Sequence, residues 1–358
     1  MILTDRSRIE ADWMCPRKRY WLTEHDGGGI VPATDAAPLA FGKAVHTGIE
    51  AGIRGLIATN LDQYRSAMVA CPEWGSLSQD QQDTATSIVT GFFITVWPGW
   101  MQQYEPMAVE QELEWEHDGV LFMMRPDLLL KDKKSGDIWY PDFKTFTNSL
   151  DHRKYTWSLQ QQLTMLACEQ ALGVPLTGAW IQGLGKGSGR KGVLYHPLVY
   201  GYRHPGVPGV SDPTFGTKRR SGFERFNTKT YPHGGIECWI QQLHKREPEM
   251  VAKIFPRSQP LFLNRHLMDQ VLPHIIGREQ EIHHIKHFDQ ADNPNWLEHA
   301  GQHFPMHITN CETGWGKCAY FEACHVPLIT KDPVGSGSYQ PRTPHHEVER
   351  KVYHDSMD

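Results

Sequence analysis

Residues 120–144 read VLFMMRPDLLLKDKKSGDIWYPDFK. Two largely apolar runs, Val120 to Leu130 and Asp137 to Phe143, flank the turn signal Lys134-Ser135-Gly136. Just upstream, a second turn signal, His117-Asp118-Gly119, separates the quoted stretch from a third run, Met107 to Glu116. The pattern predicts a three-stranded antiparallel meander. Beyond it, Trp157 to Leu172 predicts a helix stopped by Gly173, with Pro175 two residues on, and Thr177 to Leu184 predicts a fourth strand. Before it, Phe41, Val45, Ile49 and Ile53 recur every four positions and predict an amphipathic helix over Leu39 to Ile57. Ser78 opens a further helical stretch that runs to Tyr104 and is interrupted near Pro98. Helical pattern returns from Gly235 to about His287. The order helix, three strands, helix, strand gives an α/β chain of the α+β kind.

The 358 residues, 39% hydrophobic and with 12 Trp, suffice for a sizeable packed core. The opening MILTDRSRIE lacks the apolar centre of a secretory signal, and no apolar run of about 18 residues occurs, so a soluble cytoplasmic protein is expected. One domain is expected over residues 1–330, followed by a flexible polar tail over 331–358. The net charge of −5 does not mark a nucleic-acid binder, but charge is unevenly placed: from Lys186 to Lys229, nine Lys or Arg stand against two acids. This Gly- and Pro-rich insertion, 186–231, is expected to form an extended hairpin or arm. Lys186, Arg190, Lys191, Lys218, Arg219 and Arg220 are its candidate DNA-binding residues, with a plain solvated loop as the alternative.

Within the meander, Pro126-Asp127 falls on the second strand and Pro141-Asp142-Phe143-Lys144 ends the third. Positions 142 and 144 are two apart, which in a strand points both side chains to one face, and the turn between the strands brings Asp127 to the same hairpin. Two acids and a base so placed suit phosphodiester hydrolysis. Hard oxygen ligands hold Mg²⁺ or Mn²⁺, the ion polarises the phosphate and acidifies a water, and the ammonium stabilises the charge that develops. The bare pattern is short and common, and alone it fits solvated strand positions better than a site. Its setting among Leu128, Leu129, Leu130, Ile138, Trp139, Tyr140 and Phe143 is apolar, however, and carboxylates near a core need a partner or a metal.

This arrangement resembles the PD-(D/E)xK nuclease superfamily, whose restriction-endonuclease-like core has the αβββαβ order. Further motifs resemble its branch of RecB- and AddB-like and CRISPR-associated iron–sulfur exonucleases. Phe41-Gly42-Lys43-Ala44-Val45-His46 is similar to that branch's helical histidine motif, which implies that His46 joins Asp127, Asp142 and Phe143 in the Mg²⁺ or Mn²⁺ shell. The branch's first-strand glutamate is matched best by Glu110, with Glu112 and Glu114 as competitors on the same strand face. Its helical glutamine, four residues ahead of a tyrosine, is offered by Gln160, Gln161 and Gln162. Gln162 fits that register best, with Leu166 in the tyrosine's place, so the resemblance implies a catalytic set of His46, Asp127, Asp142, Lys144 and Gln162.

Seven cysteines in a chain without an export signal argue against a disulfide framework. Cys311, Cys318 and Cys324 with His325 could make a Cys₃His site for structural Zn²⁺. Cys15-Pro16-Arg17-Lys18-Arg19-Tyr20, however, resembles the CPRK segment of the iron–sulfur branch. That implies Cys15, Cys311, Cys318 and Cys324 around a 4Fe–4S cluster that joins the N- and C-terminal helical additions. Cys71, Cys168 and Cys238 are expected in buried apolar positions. The resemblance as a whole implies a metal-dependent exonuclease acting on single-stranded or duplex DNA ends, in phage-type recombination or end processing. A CRISPR adaptation nuclease working with protein partners, or a DNA-end-binding module without turnover, are the alternatives.

Overall fold

Asp5 ends strand β1 (Ile2–Asp5) and starts helix α1 (Arg6–Met14): its carboxylate accepts a hydrogen bond from the Arg8 amide at 2.9 Å, satisfying one of the donors a helix start leaves unpaired. The computed structural model describes residues 2–34, 37–57, 63–147, 149–156, 158–190, 193–196, 198, 236–289, 296–313, 316–344, 346 and 349. Pro16 opens the short helix α2 (Pro16–Arg19), and strand β2 (Ile30–Pro32) follows. Helix α3 (Ala37–Ile57) is the amphipathic element expected from the four-residue recurrence, and Phe41, Val45, Ile49 and Ile53 are each at most 2% exposed. Helix α4 (Gln63–Ala70) packs along it. Helix α5 (Gln79–Thr95) begins with a reciprocal cap, Ser78 and Gln81 each accepting the other's backbone N–H. Gly52 of α3 lets α5 approach closely, since a Cβ there would stand 2.2 Å from the Phe93 ring. Helix α6 (Trp97–Gln103) starts with Pro98 in its first turn, where the interruption was expected.

The meander departs from expectation in one respect that shapes the site. Its first two strands each break in the middle, into β3 (Tyr104–Val109) and β4 (Leu113–His117), then β5 (Val120–Met124) and β6 (Leu128–Asp132). Pro126 has no N–H to give a ladder, and Glu110 has a left-handed φ of 44°, so the two neighbours bend at one level. Asp127 therefore lies at a bend, not on a strand. Strands β4 and β5 form a hairpin through Asp118 and Gly119, whose φ values of 48° and 78° are the positive pair a two-residue hairpin loop favours, and β1 joins β5 in parallel. Strands β3 and β6 continue with β7 (Ile138–Phe146) and its parallel partner β8 (Gly178–Gly185) in the order β3-β6-β7-β8.

Between β7 and β8 run helices α7 (Arg153–Thr156) and α8 (Leu159–Leu172), the latter stopped by Gly173 at φ 67°. Leu163, Leu166 and Ala167 of α8 pack against Val120 and Phe122 of β5. Met165 and Cys168 pack against Leu129, Tyr140 and Ile181 of the larger sheet. The helix fills the wedge between the two sheets and is buried nearly all round. On the other face of the larger sheet, Leu128, Leu130, Phe143 and Trp180 meet Phe41, Phe92 and Trp100 from α3, α5 and α6.

Strands β9 (Ser188–Arg190) and β10 (Val193–Tyr195) form an antiparallel hairpin at the start of the basic insertion. The helical pattern expected from Gly235 onward resolves into α9 (Ile236–Arg246), α10 (Pro248–Ile254) and α11 (Arg265–Asp289). An extended stretch between α10 and α11 covers the edge of β8, where Ala179 and Leu261 exchange two backbone hydrogen bonds of 2.8 Å. Helix α12 (Trp296–His303) leads to a small hairpin, Glu312–Thr313 with Gly316–Lys317, and to helix α13 (Phe321–His325). The flexible tail expected from residue 331 is corrected over its described part: Tyr339–Pro341 pairs with β2, and Glu349 is buried against Arg8 and Arg342. Among the described residues no helix is long and apolar enough to cross a membrane.

Candidate functional site

The strand breaks bring three carboxylates level. The β6–β7 register pairs Leu130 with Trp139, and continuing it sets Asp127 opposite Asp142. The β3–β6 register pairs Val109 with Leu128 and likewise sets Glu110 beside Asp127, whose carbonyl accepts the Glu110 N–H at 3.2 Å. Because β6 and β7 have parted here, the Phe143 N–H goes to the Asp127 carboxylate, at 2.7 Å. The Phe143 ring belongs to the core, so this residue meets the site through its main chain. His46 reaches in from α3, with Nδ1 3.7 Å from Asp127 Oδ2 and 3.9 Å from Glu110 Oε1. Ligand atoms of His46, Glu110 and Asp127 all lie within 4.8 Å of one another. Glu110 is thus the first-strand acid that comes to the site. Its left-handed backbone, a conformation costing a side-chain-bearing residue on the order of 1 kcal/mol, is what turns it there.

These contacts are too long for hydrogen bonds and near the span of two ligands on one divalent ion held at about 2.1 Å. One imidazole and two carboxylates are a fitting donor set for Mn²⁺ or Mg²⁺. Burial pushes the His46 pKa down, but Asp127 and Glu110 outweigh it and leave it above the ordinary value. Burial raises Asp127 and Glu110, and the pull of His46 does not cancel it, with Asp142 adding repulsion at Asp127. A folded-state pKa above the unfolded one means stability that is full below the unfolded value and lost as pH rises through the folded one. All three groups have that sign, so the metal-free protein loses their contribution from about pH 4 upward for the carboxyls and about pH 6.5 upward for His46. A bound cation displaces the same protons. The rise in Tm produced by Mn²⁺ is therefore expected to grow from about pH 6 to about pH 8; a rise independent of pH would refute this ligand set.

Tyr140, Asp142 and Lys144 alternate along β7 and share the face toward α8. Asp142 is 1% exposed; Lys144 Nζ stands 2.8 Å from its Oδ1 and 2.7 Å from its Oδ2, and the Tyr140 hydroxyl donates to Oδ1 at 3.0 Å. Gln160, in the first turn of α8, faces this pair. With its amide oxygen turned toward the surrounding donors it accepts from Lys144 Nζ at 3.1 Å and from the Arg6 guanidinium.

The expectation of Gln162 in the catalytic set is corrected on these contacts. Two residues along a helix turn a side chain by about 200°. Gln162 accordingly accepts from the Asn264 N–H at 2.7 Å and donates to the Phe262 carbonyl at 3.2 Å, tying the stretch before α11 to α8. Gln162→Ala is expected to cost about 1–3 kcal/mol in urea unfolding, because two main-chain groups lose their partner. Gln160→Ala, at a half-buried position, is expected to cost under about 1 kcal/mol. Equal losses would overturn the distinction.

The four cysteines singled out come near one another from both ends of the chain. Cys15 Sγ accepts from the His307 N–H at 3.4 Å, Cys324 Sγ accepts from Trp21 Nε1 at 3.3 Å, and the Cys318 N–H bonds to the Cys311 carbonyl at 2.8 Å. None of the four is in a disulfide. Burial pushes the Cys324 thiol up to about 11 against the opposing effects of Trp21 and Arg17, with Cys318 and Cys15 adding to the rise. Burial, Cys15 and Cys318 raise Cys311. Among the described residues no three of these sulfurs lie within 4.8 Å of one another. Four cysteine thiolates are the usual ligand set of a 4Fe–4S cluster and also one of the sets that hold structural Zn²⁺. His325 packs its ring on Phe321, with centroids 4.5 Å apart.

Cys71 and Cys168 are buried as expected, and the Cys238 side chain lies outside the described residues. Of the DNA-binding candidates, Lys191, Lys218, Arg219 and Arg220 lie outside the described residues, as does the Arg190 side chain. Lys186 is turned toward α3, its Nζ donating to the Pro38 carbonyl at 3.4 Å and standing 4.9 Å from the Phe41 ring centroid. Sequence reasoning missed Tyr140 and Arg6. The two-residue alternation that joins Asp142 to Lys144 also includes Tyr140, whereas Arg6 carries no local signal. Set against models of known protein families and against curated proteins, the chain matches none.

Proposed function

We propose that this chain is a Mg²⁺- or Mn²⁺-dependent deoxyribonuclease acting on DNA ends. The observation that carries the reading is the convergence of His46, Glu110 and Asp127 beside the Asp142–Lys144 pair. The element order supports it: α3, the three runs β3–β4, β5–β6 and β7, then α8 and β8 follow the αβββαβ sequence of a restriction-endonuclease-like core. His46, Glu110 and Asp127, with Asp142 alongside, would hold the ion. When bound, it supplies Lewis-acid polarisation of a phosphoryl oxygen and acidifies a water. Lys144, fixed between Asp142 and the Gln160 oxygen, places an ammonium where charge grows on the phosphate, and Tyr140 keeps Asp142 oriented. Cys15, Cys311, Cys318 and Cys324 would hold a structural 4Fe–4S cluster, with structural Zn²⁺ as the alternative.

End-labelled single- and double-stranded DNA incubated with Mn²⁺, and separately with EDTA, tests the proposal. Metal-dependent release of label is expected. Wild-type protein that leaves both substrates intact across Mg²⁺ and Mn²⁺ refutes it.

A further inference from the structure

We infer that Arg6 is a second cation of this site, binding the same phosphate that Lys144 addresses; the inference rests on the nuclease reading and adds a residue to it. The fold delivers Arg6 there by register. Strand β1 runs parallel to β5 and ends with Asp5 paired to Met123, so the next residue comes level with the chain just before the Arg125-Pro126-Asp127 bend. At that point helix α1 begins, packed on α8, and the half-buried Arg6 side chain extends from its first position toward the start of α8.

The guanidinium meets the side-chain oxygen of Gln160, the atom that also accepts from Lys144 Nζ at 3.1 Å. One neutral oxygen thus gathers two cations. The acids acting on the charge of Arg6 are Glu10, one turn along α1, then Asp142 and Asp127, with the Tyr140 hydroxyl close by. Asp142 is already served by Lys144 and Tyr140, and Asp127 by the Phe143 N–H, so neither carboxylate depends on Arg6 as its partner. A guanidinium has five donors in a planar fork that matches two oxygens of one phosphate. A phosphodiester brought against Asp127 and Asp142 would present its non-bridging oxygens to Lys144 and Arg6 together. An ammonium on a flexible stem does not reproduce that fork, so lysine is a poor replacement.

The test compares wild type, Arg6→Lys and Arg6→Ala in three measurements. On end-labelled DNA with Mn²⁺, kcat is expected to fall about 100-fold or more in both variants, the usual loss when one donor to a transition-state oxygen is removed. Mn²⁺ titration should show affinity unchanged or tighter, because a positive charge near the ligand carboxylates has gone. Titration of the Mn²⁺-loaded protein with inorganic phosphate should show binding weakened about 10-fold or more in Arg6→Ala. A merely structural arginine gives another pattern: weaker Mn²⁺ binding, a lower Tm and rescue by lysine. Wild-type kcat in Arg6→Lys, or equal phosphate affinity in wild type and Arg6→Ala, overturns the inference. If wild type fails to cut DNA, the nuclease reading fails by itself, and the phosphate titration still decides on Arg6.

Discussion

Asp142→Asn is expected to lower the rate of DNA cleavage by about 10³–10⁴-fold while leaving the protein folded, a loss of about 4–5.5 kcal/mol in transition-state stabilisation. The substitution preserves shape, and the amide oxygen can still accept the Tyr140 hydroxyl that now donates at 3.0 Å. What it removes is charge. Asp142 is 1% exposed, and burying a carboxylate there is tolerable because Lys144 stands within 2.8 Å of both its oxygens. In the variant Lys144 loses its counter-charge, and a cation held by His46, Glu110 and Asp127 would lose a nearby negative charge, so Mn²⁺ affinity is expected to fall along with the rate. Initial rates on end-labelled DNA, with Tm as the folding control, measure the effect. A folded Asp142→Asn protein within 10-fold of wild type at saturating Mn²⁺ would remove Asp142 from the site.

The parts of this site that could be read from sequence share one property: their geometry follows from local periodicity. Asp142 and Lys144 are two apart in a strand, and the four-residue recurrence of Phe41, Val45, Ile49 and Ile53 fixes which face of α3 is buried and so where His46 emerges at its rim. The parts that escaped depend on contacts between distant segments. The strand-like runs Met107–Glu116 and Val120–Leu130 look continuous, and only the paired bend at Glu110 and Pro126 splits them between two sheets. Gln160 and Gln162 could not be separated by pattern, because α8 is enclosed by both sheets and shows no polar face to set its rotation. The strand β1 of four residues gains its meaning from pairing with β5, more than a hundred positions away, and Arg6 is placed by that pairing alone. The Tyr339–Pro341 strand is hidden for the same reason: a polar Gly-Ser segment gives no hint that β2 offers it an edge.

Cys15→Ser is expected to be the most destabilising single change outside the core. Cys15 lies between α1 and α2, and Cys311, Cys318 and Cys324 lie at the far end of the chain, so a group bound by all four would close a loop of most of the chain. Closing a loop of that length restricts the unfolded chain by about 5 kcal/mol in the entropic description of cross-links. At about 1–2 °C per kcal/mol for a chain of 358 residues, Tm should fall by roughly 5–10 °C. The surroundings are built for such a clamp. Trp21 is fully buried with its N–H on Cys324, and Arg17 places a guanidinium near the thiols while donating to the Phe304 carbonyl at 2.9 Å. Burial and neighbouring thiols raise the pKa values of Cys311 and Cys324, so a positively charged group among the four would favour their thiolates. Wild-type protein purified without oxygen should therefore be brown and absorb broadly in the visible range, and Cys15→Ser should be colourless with the lower Tm. Colourless wild type carrying one zinc per chain would replace the iron–sulfur assignment. A Cys15→Ser protein with wild-type Tm would show that the two chain ends are held by their packing and not by a shared metal group.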